Sequence, residues 1–424
     1  MKVTVTLEYR FTRTPDGAVW TQTTYSNSFW ERYLEVFDSV RVVARARNVE
    51  YVPDNWKRVN GERVSFLAVP YYVGPWQYLR RAIEIASVLR NAVTPKDAVI
   101  MRVPSPFVRL VTPLLKRRGQ PYCLEVVGDP YDVFAPGAVN HLLRPFFRWW
   151  FTHQLQQQCM EASAIAYVTQ ITLQLRYPTQ ASNNSFFNPS LDLRRLSSES
   201  NPYHNSWNTY YSDVELPPKA FMPRHYQQSG QKMYGFTLVT VASLEQMYKA
   251  MDVLIDALAI CLQEGLNLNL VIVGDGKHRR QLEVRAAKRG VEGRVKFLGQ
   301  LPAGDVVRAQ LDQADLFILP SRTEGMPRAM VEAMARGLPC IGSRVGGIPE
   351  LLPPEDLVKP GDSLALARKI GEVLMDPGRL MRMSERNFEK SREYLEEALH
   401  ERRINFYRAV KENTETWLRG KKSN

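Results

Sequence analysis

Hydrophobic positions are most regular in the second half of the chain, from Phe236 onward. There, short apolar runs alternate with longer segments whose apolar residues recur at helical spacing. This alternation is typical of βα units, in which apolar strands form a parallel sheet and the connecting helices cover both of its faces. The pattern predicts a Rossmann-like domain over residues 235–395, with strands at TLVTVAS, LNLVIVG, VKFLG, ADLFILP and PCIGS.

The first half is less regular, but it contains apolar runs that also indicate strands: MKVTVTLEY, SVRVVARA, DAVIMRVP, PYCLEVVG and AIAYVT. We therefore expect a second α/β domain over residues 1–225. Residues 181–211 are rich in Ser and Asn without a sustained period, which predicts a long surface loop, and the polar segment 223–235 predicts a hinge. Residues 384–417 carry enough helix formers and i,i+4 charge pairs for one or two long helices.

Composition narrows the class of protein. The 424 residues carry 56 Lys and Arg against 44 Asp and Glu, and their mean hydropathy is −0.31. No apolar run approaches the ~18 residues of a membrane span, and the N-terminus lacks the order of a signal peptide, so we expect a cytoplasmic protein. The Cys and His residues show no disulfide or metal-site spacing. The net charge of +12 predicts an anionic partner, with nucleic acid the weakest candidate because no binding signature is present.

The densest chemical signal is PSRTEGMPRAMVEAMARG, from Pro320 to Gly337. A strand ends there, a Glu-Gly turn follows, and Pro327 is predicted to open a helix that Gly337 terminates. Because the first amides of a helix have no intrahelical partner and carry the positive end of its dipole, the helix start is predicted to bind phosphate. Its donors would be the backbone N–H groups of Gly325, Met326, Arg328 and Ala329.

Charged and glycine residues surround this predicted phosphate site. Glu324 and Glu332 border the turn, and a carboxylate can accept hydrogen bonds from both hydroxyls of a vicinal diol, as in ribose or a hexose. Lys249 follows the first strand of the domain, and Gly274 and Gly276 follow the second. An ammonium ~4 Å from a phosphate oxygen contributes around 4 kcal/mol at an effective dielectric constant near 20, before desolvation. Such a lysine would stabilise a diphosphate leaving group.

Taken together, these segments resemble the family-4 retaining glycosyltransferases, whose GT-B fold places two Rossmann-like domains across a central cleft. The resemblance covers Phe236 to about Leu352, in VASLEQMYKAMDVLIDA, VIVGDGKHRRQL, VKFLGQL, the E-x7-E element of EGMPRAMVEAMARGLP, and GGIPE. It implies that Lys249 neutralises the diphosphate of a nucleotide sugar, that Glu332 holds the ribose, and that Glu324 contacts the donor sugar. It also implies that a C-terminal helix, residues 396–424, returns to the first domain.

The other donor-side positions follow from the same resemblance. The base would lie near residues 297–301, and this chain departs from the family at Ser243, where an Arg commonly supplies a second phosphate-binding cation. Arg328 or Arg322 is expected to replace that cation. The predicted donor-binding residues are Ser243, Lys249, Gly274, Gly276, Leu298, Glu324, Gly325, Met326, Pro327, Arg328 and Glu332.

The acceptor side carries fewer signals. The family's glycine-containing loop after the first strand is best matched by Asp16 and Gly17, and Asp129 stands where a His often faces the donor sugar. With Glu324 and Lys249, Asp129 completes the predicted catalytic residues, although it also suits a turn before Pro130. The stretch HLLRPFFRWWFTHQ, residues 141–154, suits either core packing or contact with a membrane or a lipid-linked acceptor.

The sequence thus predicts a glycosyltransferase that moves a hexose from a UDP- or GDP-sugar to a hydroxyl of a glycan or lipid-linked acceptor, in cell-surface glycan, exopolysaccharide or glycolipid synthesis. The resemblance implies retention of configuration. We expect no cofactor and no metal, because no Asp-x-Asp motif lies near the donor site, and peripheral contact with the inner face of the membrane. The alternatives are an epimerase or phosphorylase of the same fold, and an inert nucleotide-sugar-binding protein. The base, sugar, acceptor, linkage and oligomeric state stay open.

Overall fold

The computed structural model describes residues 1–136, 141–179, 207–212, 214–224 and 235–422, which form two α/β units and a long final helix. Most of the predicted loop 181–211 and of the predicted hinge 223–235 lies outside these ranges. The end of the loop differs from the prediction, because Trp207–Tyr210 form a strand paired in parallel with Ala164–Tyr167.

The first unit is a sheet with helices on its faces. Its strands are β1 (Lys2–Arg13), β2 (Val19–Thr21), β3 (Ser39–Asn48), β4 (Lys57–Arg58), β5 (Val64–Pro70), β6 (Ala98–Val103), β7 (Cys123–Val126), β8 (Ala164–Tyr167) and β9 (Trp207–Tyr210). Neighbouring strands in the order β5-β3-β1-β6-β7-β8-β9 are parallel, while β2 runs antiparallel to β1 and to β4. The helices are α1 (Asn27–Glu31), α2 (Gly74–Arg80), α3 (Ala82–Ala92), α4 (Pro106–Arg118), α5 (Pro130–Val133), α6 (Arg144–Glu161) and α7 (Thr172–Arg176).

The second unit is a fully parallel sheet in the order β12-β11-β10-β13-β14-β15. Its strands are β10 (Phe236–Val241), β11 (Leu268–Val273), β12 (Val295–Gly299), β13 (Leu316–Leu319), β14 (Cys340–Ser343) and β15 (Leu357–Val358). Its helices are α8 (Met251–Gln263), α9 (Arg279–Lys288), α10 (Asp305–Gln313), α11 (Arg328–Ala335), α12 (Ile348–Leu351), α13 (Ser363–Leu374) and α14 (Pro377–Ser391), and the long helix α15 (Glu396–Lys422) follows them.

Continuous apolar strands in the second unit are explained by burial on both faces. Leu238 packs in the same hydrophobic cluster as Leu254, whereas the next residue, Val239, packs with Phe317 and Met334 in another. Successive side chains of a strand point to opposite faces, so a strand covered on both sides needs apolar residues at every position. The predicted strands of this unit are confirmed.

The final helix α15 packs against the first unit rather than the second. Tyr407 stacks on Tyr33 with ring centroids 4.4 Å apart, and Lys411 Nζ donates to the carbonyl of Val36 over 3.2 Å. Both tyrosines are fully buried. The chain therefore begins and ends in the same unit, with the second unit between them.

The two sheets meet at the carboxyl ends of their strands. The Glu350 carboxylate, after β14, accepts the backbone N–H groups of Gln170 and Thr172, after β8, each over 2.6 Å. Ligands of open α/β sheets bind at this edge. The predicted α/β class with two Rossmann-like units facing a cleft is confirmed.

Candidate active site

The predicted phosphate-binding turn connects β13 to α11. Pro327 has an extended conformation as the N-cap, so the helix begins at Arg328, one residue later than the sequence predicts. Met330 N–H and Val331 N–H both donate to the carbonyl of Pro327. The backbone N–H groups of Gly325, Met326 and Ala329 donate to no other described residue, which leaves them available to an anion.

The structure brings Lys249 and Glu324 together, although they are 75 residues apart. Lys249 Nζ donates to Glu324 Oε1, which also accepts the Ser321 hydroxyl over 3.0 Å. The two charged side chains are 17% and 7% exposed. Both charged groups are therefore largely removed from water, and each neutralises the other.

Lys249 is positioned by a short turn of helix at Met247–Lys249, followed by Ala250 with a left-handed φ of +56°. Arg322 supports this turn: it forms two hydrogen bonds to the Asp252 carboxylate, of 3.0 and 2.8 Å, and one to the carbonyl of Met247. The guanidinium of Arg322 thus has a carboxylate partner in Asp252, and its expected role as the missing phosphate-binding cation stays a prediction. Arg328, 46% exposed at the start of α11, is the better placed of the two candidates.

Gly346 of the GGIPE motif has a structural reason to be glycine. Its φ is +52°, and a Cβ built on it would lie 1.9 Å from the carbonyl oxygen of Glu324. The next amide, Gly347 N–H, donates to the carbonyl of Gly325 over 2.9 Å. The motif thus presses against the backbone that carries Glu324, while Glu350 at its other end contacts the first unit.

Glu332 lies one to two turns inside α11 and is mostly buried, with 12% of its side chain exposed. Burial raises the pKa of Glu332, and the positive charges of Arg328 and Arg308 partly oppose that rise. Arg308 belongs to α10, which follows β12 and its half-buried Leu298. The predicted roles of Glu332 at the ribose and of Leu298 at the base stay predictions.

Gly274 and Gly276 allow the loops after β10 and β11 to touch. Gly274 has a φ of +136° and a Cβ there would lie 1.9 Å from the carbonyl oxygen of Ala242; Gly276 has a φ of +154° and would meet Leu244 at 2.3 Å. Ser243 lies between those two contacts, exposed, with its hydroxyl accepting Glu245 N–H over 3.3 Å. The predicted donor-binding role of Ser243 stays a prediction.

Asp129 differs from the prediction that it faces the cleft. Its buried carboxylate caps α5, accepting Tyr131 N–H, the Tyr177 hydroxyl over 2.6 Å, and the Arg176 guanidinium. With its acceptor sites occupied by these groups, it organises the loop instead of facing a sugar. Sequence reasoning missed Asp132, one helical turn later, which pairs with Arg176 over 3.2 Å. Burial raises the pKa of Asp132, and Arg148 and the backbone N–H of Gly346 in the other unit only partly oppose that rise.

Asp16 and Gly17 form the tip of an exposed hairpin between β1 and β2. The hydroxyl of Thr14 and the N–H of Ala18 both donate to the Asp16 carboxylate and hold its pKa below the usual range. Gly17 supplies the φ of +82° that the turn needs. Neither residue contacts the predicted donor-binding residues, so their acceptor-side role stays a prediction.

Comparisons with known proteins agree with this geometry. Residues 222–390, which contain every predicted donor-side residue, match the family model described as glycosyl transferases group 1. Protein CapJ of Staphylococcus aureus is 28% identical over 357 residues, 83% of this chain and 81% of CapJ. The amylovoran biosynthesis glycosyltransferase AmsK of Erwinia amylovora is 39% identical over 139 residues, 31% of this chain and 34% of AmsK.

Solved structures extend the similarity to both units. The crystal structure of Anabaena Alr3699/HepE in complex with UDP and glucose has a TM-score of 0.60 at 14% identity, covering 96% of this chain and 98% of that one. The fold is GT-B, as the sequence predicts. The protein is a transferase, and its residues 222–390 form a glycosyltransferase domain.

The close approach of Gly346 to Glu324 is testable with a matched pair of substitutions. Gly346→Ala should lower the melting temperature well beyond Gly361→Ala, because both positions have positive φ but a Cβ at Gly361 meets nothing within 4 Å. Gly361→Ala should cost about 1 kcal/mol from backbone strain alone. Differential scanning fluorimetry measures the melting temperature of both variants. Equal decreases would mean that the backbone of Glu324 shifts to accommodate a Cβ at position 346 without further cost.

Proposed function

We propose that this protein is a retaining, family-4-type glycosyltransferase that moves a hexose from a UDP- or GDP-sugar to an acceptor hydroxyl in cell-surface glycan, exopolysaccharide or glycolipid synthesis. The observation that carries the proposal is the Lys249–Glu324 pair beside the open amides that begin α11. The UDP and glucose bound to HepE, and the glycosyltransferase name of AmsK, support a nucleotide-sugar donor and a role in polysaccharide synthesis.

In the proposed complex the diphosphate lies against Lys249 and the N–H groups of Gly325, Met326 and Ala329. Glu324, released from Lys249, accepts a hydroxyl of the donor sugar, and Glu332 accepts the ribose hydroxyls. The bond between the anomeric carbon and the diphosphate oxygen breaks with charge developing on that oxygen, which the ammonium and amides stabilise. The acceptor oxygen bonds to the same face of the anomeric carbon, and its proton passes to the departing diphosphate.

The proposed reaction uses no metal and no cofactor, so independence of metal ions is part of the proposal. The two alternatives make different demands on the same site. An epimerase would change the sugar while it stays on the nucleotide, and an inert binding protein would bind the nucleotide sugar without releasing nucleotide. Product analysis after incubation with UDP- and GDP-sugars distinguishes all three, because only a transferase releases nucleotide with a sugar preference.

Contact with the inner face of the membrane is also part of the proposal. Within the described parts of the chain, no helix combines the length and apolar character of a membrane span. Core packing was one of the two expectations for residues 141–154. Leu142, Phe146 and Trp149 in this stretch are 94%, 50% and 60% exposed, so these three side chains are not part of the core. Arg148 lies on the same helix α6. Exposed apolar side chains beside basic ones suit an anionic bilayer surface.

Removing the charge of Lys249 tests the donor site. Lys249→Met should weaken binding of UDP- or GDP-sugars about tenfold to a hundredfold, because a hydrogen bond to a charged group contributes about 1.5–3 kcal/mol. Lys288→Met, an exposed lysine on α9, is the control and should bind as the wild type does. Isothermal calorimetry measures affinity and fluorimetry checks folding; unchanged affinity in a folded Lys249→Met protein would refute the assignment.

The pKa of Glu332 predicts a pH dependence of nucleotide binding. Since burial raises that pKa, acidification from pH 7.5 toward 5 should protonate Glu332 before an exposed glutamate and remove an acceptor for the ribose hydroxyls. UDP affinity of the wild type should therefore fall more steeply than that of Glu332→Gln, in which only the phosphates titrate. Parallel pH profiles would exclude Glu332 as the titrating contact.

Membrane contact can be measured by co-sedimentation with phosphatidylglycerol vesicles. The double substitution Phe146→Ser and Trp149→Ser should reduce the bound fraction several-fold, because their apolar surface would no longer enter the interface. Val284→Ser with Leu364→Ser removes two exposed apolar residues, 48% and 57% accessible, from the second unit and serves as control. A wild-type protein that stays in the supernatant would contradict the proposed contact.

A further inference from the structure

The first unit contains a pocket that the proposed donor chemistry does not use. It has a volume of about 860 Å³ and lies at the carboxyl ends of β1, β3 and β5, beneath α2 and α3. Four arginines line it, against a single acidic residue, Glu84. We call this cavity the arginine pocket; its arginines are Arg13, Arg47, Arg80 and Arg81.

Three of the four arginines of this pocket have no polar partner among the described residues. Arg81 donates to the carbonyl of Tyr71 over 3.1 Å, but the exposed guanidinium groups of Arg13, Arg47 and Arg80 make no hydrogen bond or ion pair with any residue that the structure describes. Nearby Arg45, by contrast, pairs with Glu8 over 2.9 Å. Grouped like charges without a counterion raise the local positive potential and favour binding of an anion.

The position of the arginine pocket relates it to the reaction. The carboxyl ends of β7 and β8 contact the second unit through Asp132, Gln170 and Thr172, and β3 lies at the same edge of the same sheet. Four strand spacings of about 4.8 Å separate β8 from β3, which is roughly 19 Å along the edge. A group held in the pocket would therefore lie on the acceptor-side unit, within an extended molecule's reach of the cleft.

We propose that the arginine pocket binds the phosphate or pyrophosphate group of the acceptor, an inference that rests on the proposed transferase function. Planar guanidinium groups match phosphate oxygens with paired hydrogen bonds. Trp76 and Leu79 lie on α2, which also carries Arg80; they are 78% and 61% exposed and share one face at i, i+3 spacing, and Ile83 at the start of α3 is 89% exposed. That apolar face favours a lipid-linked phosphate, and a soluble phosphorylated glycan has the same chemistry.

Inorganic pyrophosphate is the first probe, titrated calorimetrically into the full chain carrying Lys249→Met, which suppresses binding at the donor site. Adding Arg47→Gln with Arg80→Gln should weaken the remaining binding at least tenfold. Arg90→Gln with Arg117→Gln removes two exposed arginines of α3 and α4 that lie outside the pocket, and should leave the affinity unchanged. Equal weakening by both pairs would reduce the effect to net charge and overturn the proposal.

The variants also separate this inference from the donor assignment. If Lys249→Met alone abolishes pyrophosphate binding, the arginine pocket is not an anion site and only the donor assignment survives. If the Arg47 and Arg80 pair abolishes it while Lys249→Met does not weaken it, the pocket stands and the role of Lys249 fails. Slow donor hydrolysis, which needs no acceptor, should be normal in the Arg47 and Arg80 pair and lost in Lys249→Met.

Vesicles identify the source of the phosphate. With a lipid-linked source, the Arg47 and Arg80 pair should sediment with phosphatidic acid vesicles at least several-fold less than the Arg90 and Arg117 pair, and neither should bind phosphatidylcholine. With a soluble source, pyrophosphate binding falls but sedimentation of the two pairs is equal. Both results place the phosphate site in the pocket, whereas unchanged pyrophosphate and vesicle binding would overturn it.

Discussion

The contact between Lys249 and Glu324 is the constraint on which the rest of the site depends. An ammonium and a carboxylate this deeply placed must keep a partner, because removing either one leaves a desolvated charge. In the unliganded protein each neutralises the other. In the proposed complex a diphosphate would pair with Lys249 in place of Glu324 and leave Glu324 free to accept sugar hydroxyls, so donor binding would itself release that carboxylate.

For Lys249 to change partners in this way, the backbone that carries Lys249 and Glu324 has to stay in place. The ion pair of Arg322 with Asp252 stabilises the turn that carries Lys249. The absence of a Cβ at Gly346 lets its backbone pack against the carbonyl of Glu324. The same loop reaches across to the first unit through Glu350. The short segment 346–350 therefore contacts both the backbone of Glu324 and the first unit.

Local pattern predicted what local physics determines. The strands of the second unit were readable because burial on both faces requires uninterrupted apolar runs, and Gly337 does follow the last turn of α11 with a positive φ of +62°. Contacts between residues far apart in the sequence could not be predicted. Asp129 and Asp132 are three residues apart, and the sequence does not show that Arg176 contacts both carboxylates while the Tyr177 hydroxyl donates to Asp129. The short pairing strand β9 likewise has no period of its own.

The net charge of the chain does not show how its positively charged side chains are distributed in the structure. Many arginines are matched to carboxylates, as Arg336 is to Asp312 at 2.6 Å and Arg285 is to Asp256 at 2.5 Å, and these contribute little to an external potential. Arg13, Arg47 and Arg80, which have no such partner among the described residues, lie together in the arginine pocket, on the unit opposite Lys249. A transferase that joins an activated sugar to a phosphorylated acceptor must bring two polyanions to one cleft. Separate cationic sites on facing sheet edges reduce their repulsion by holding the anions apart while the reacting groups meet between them.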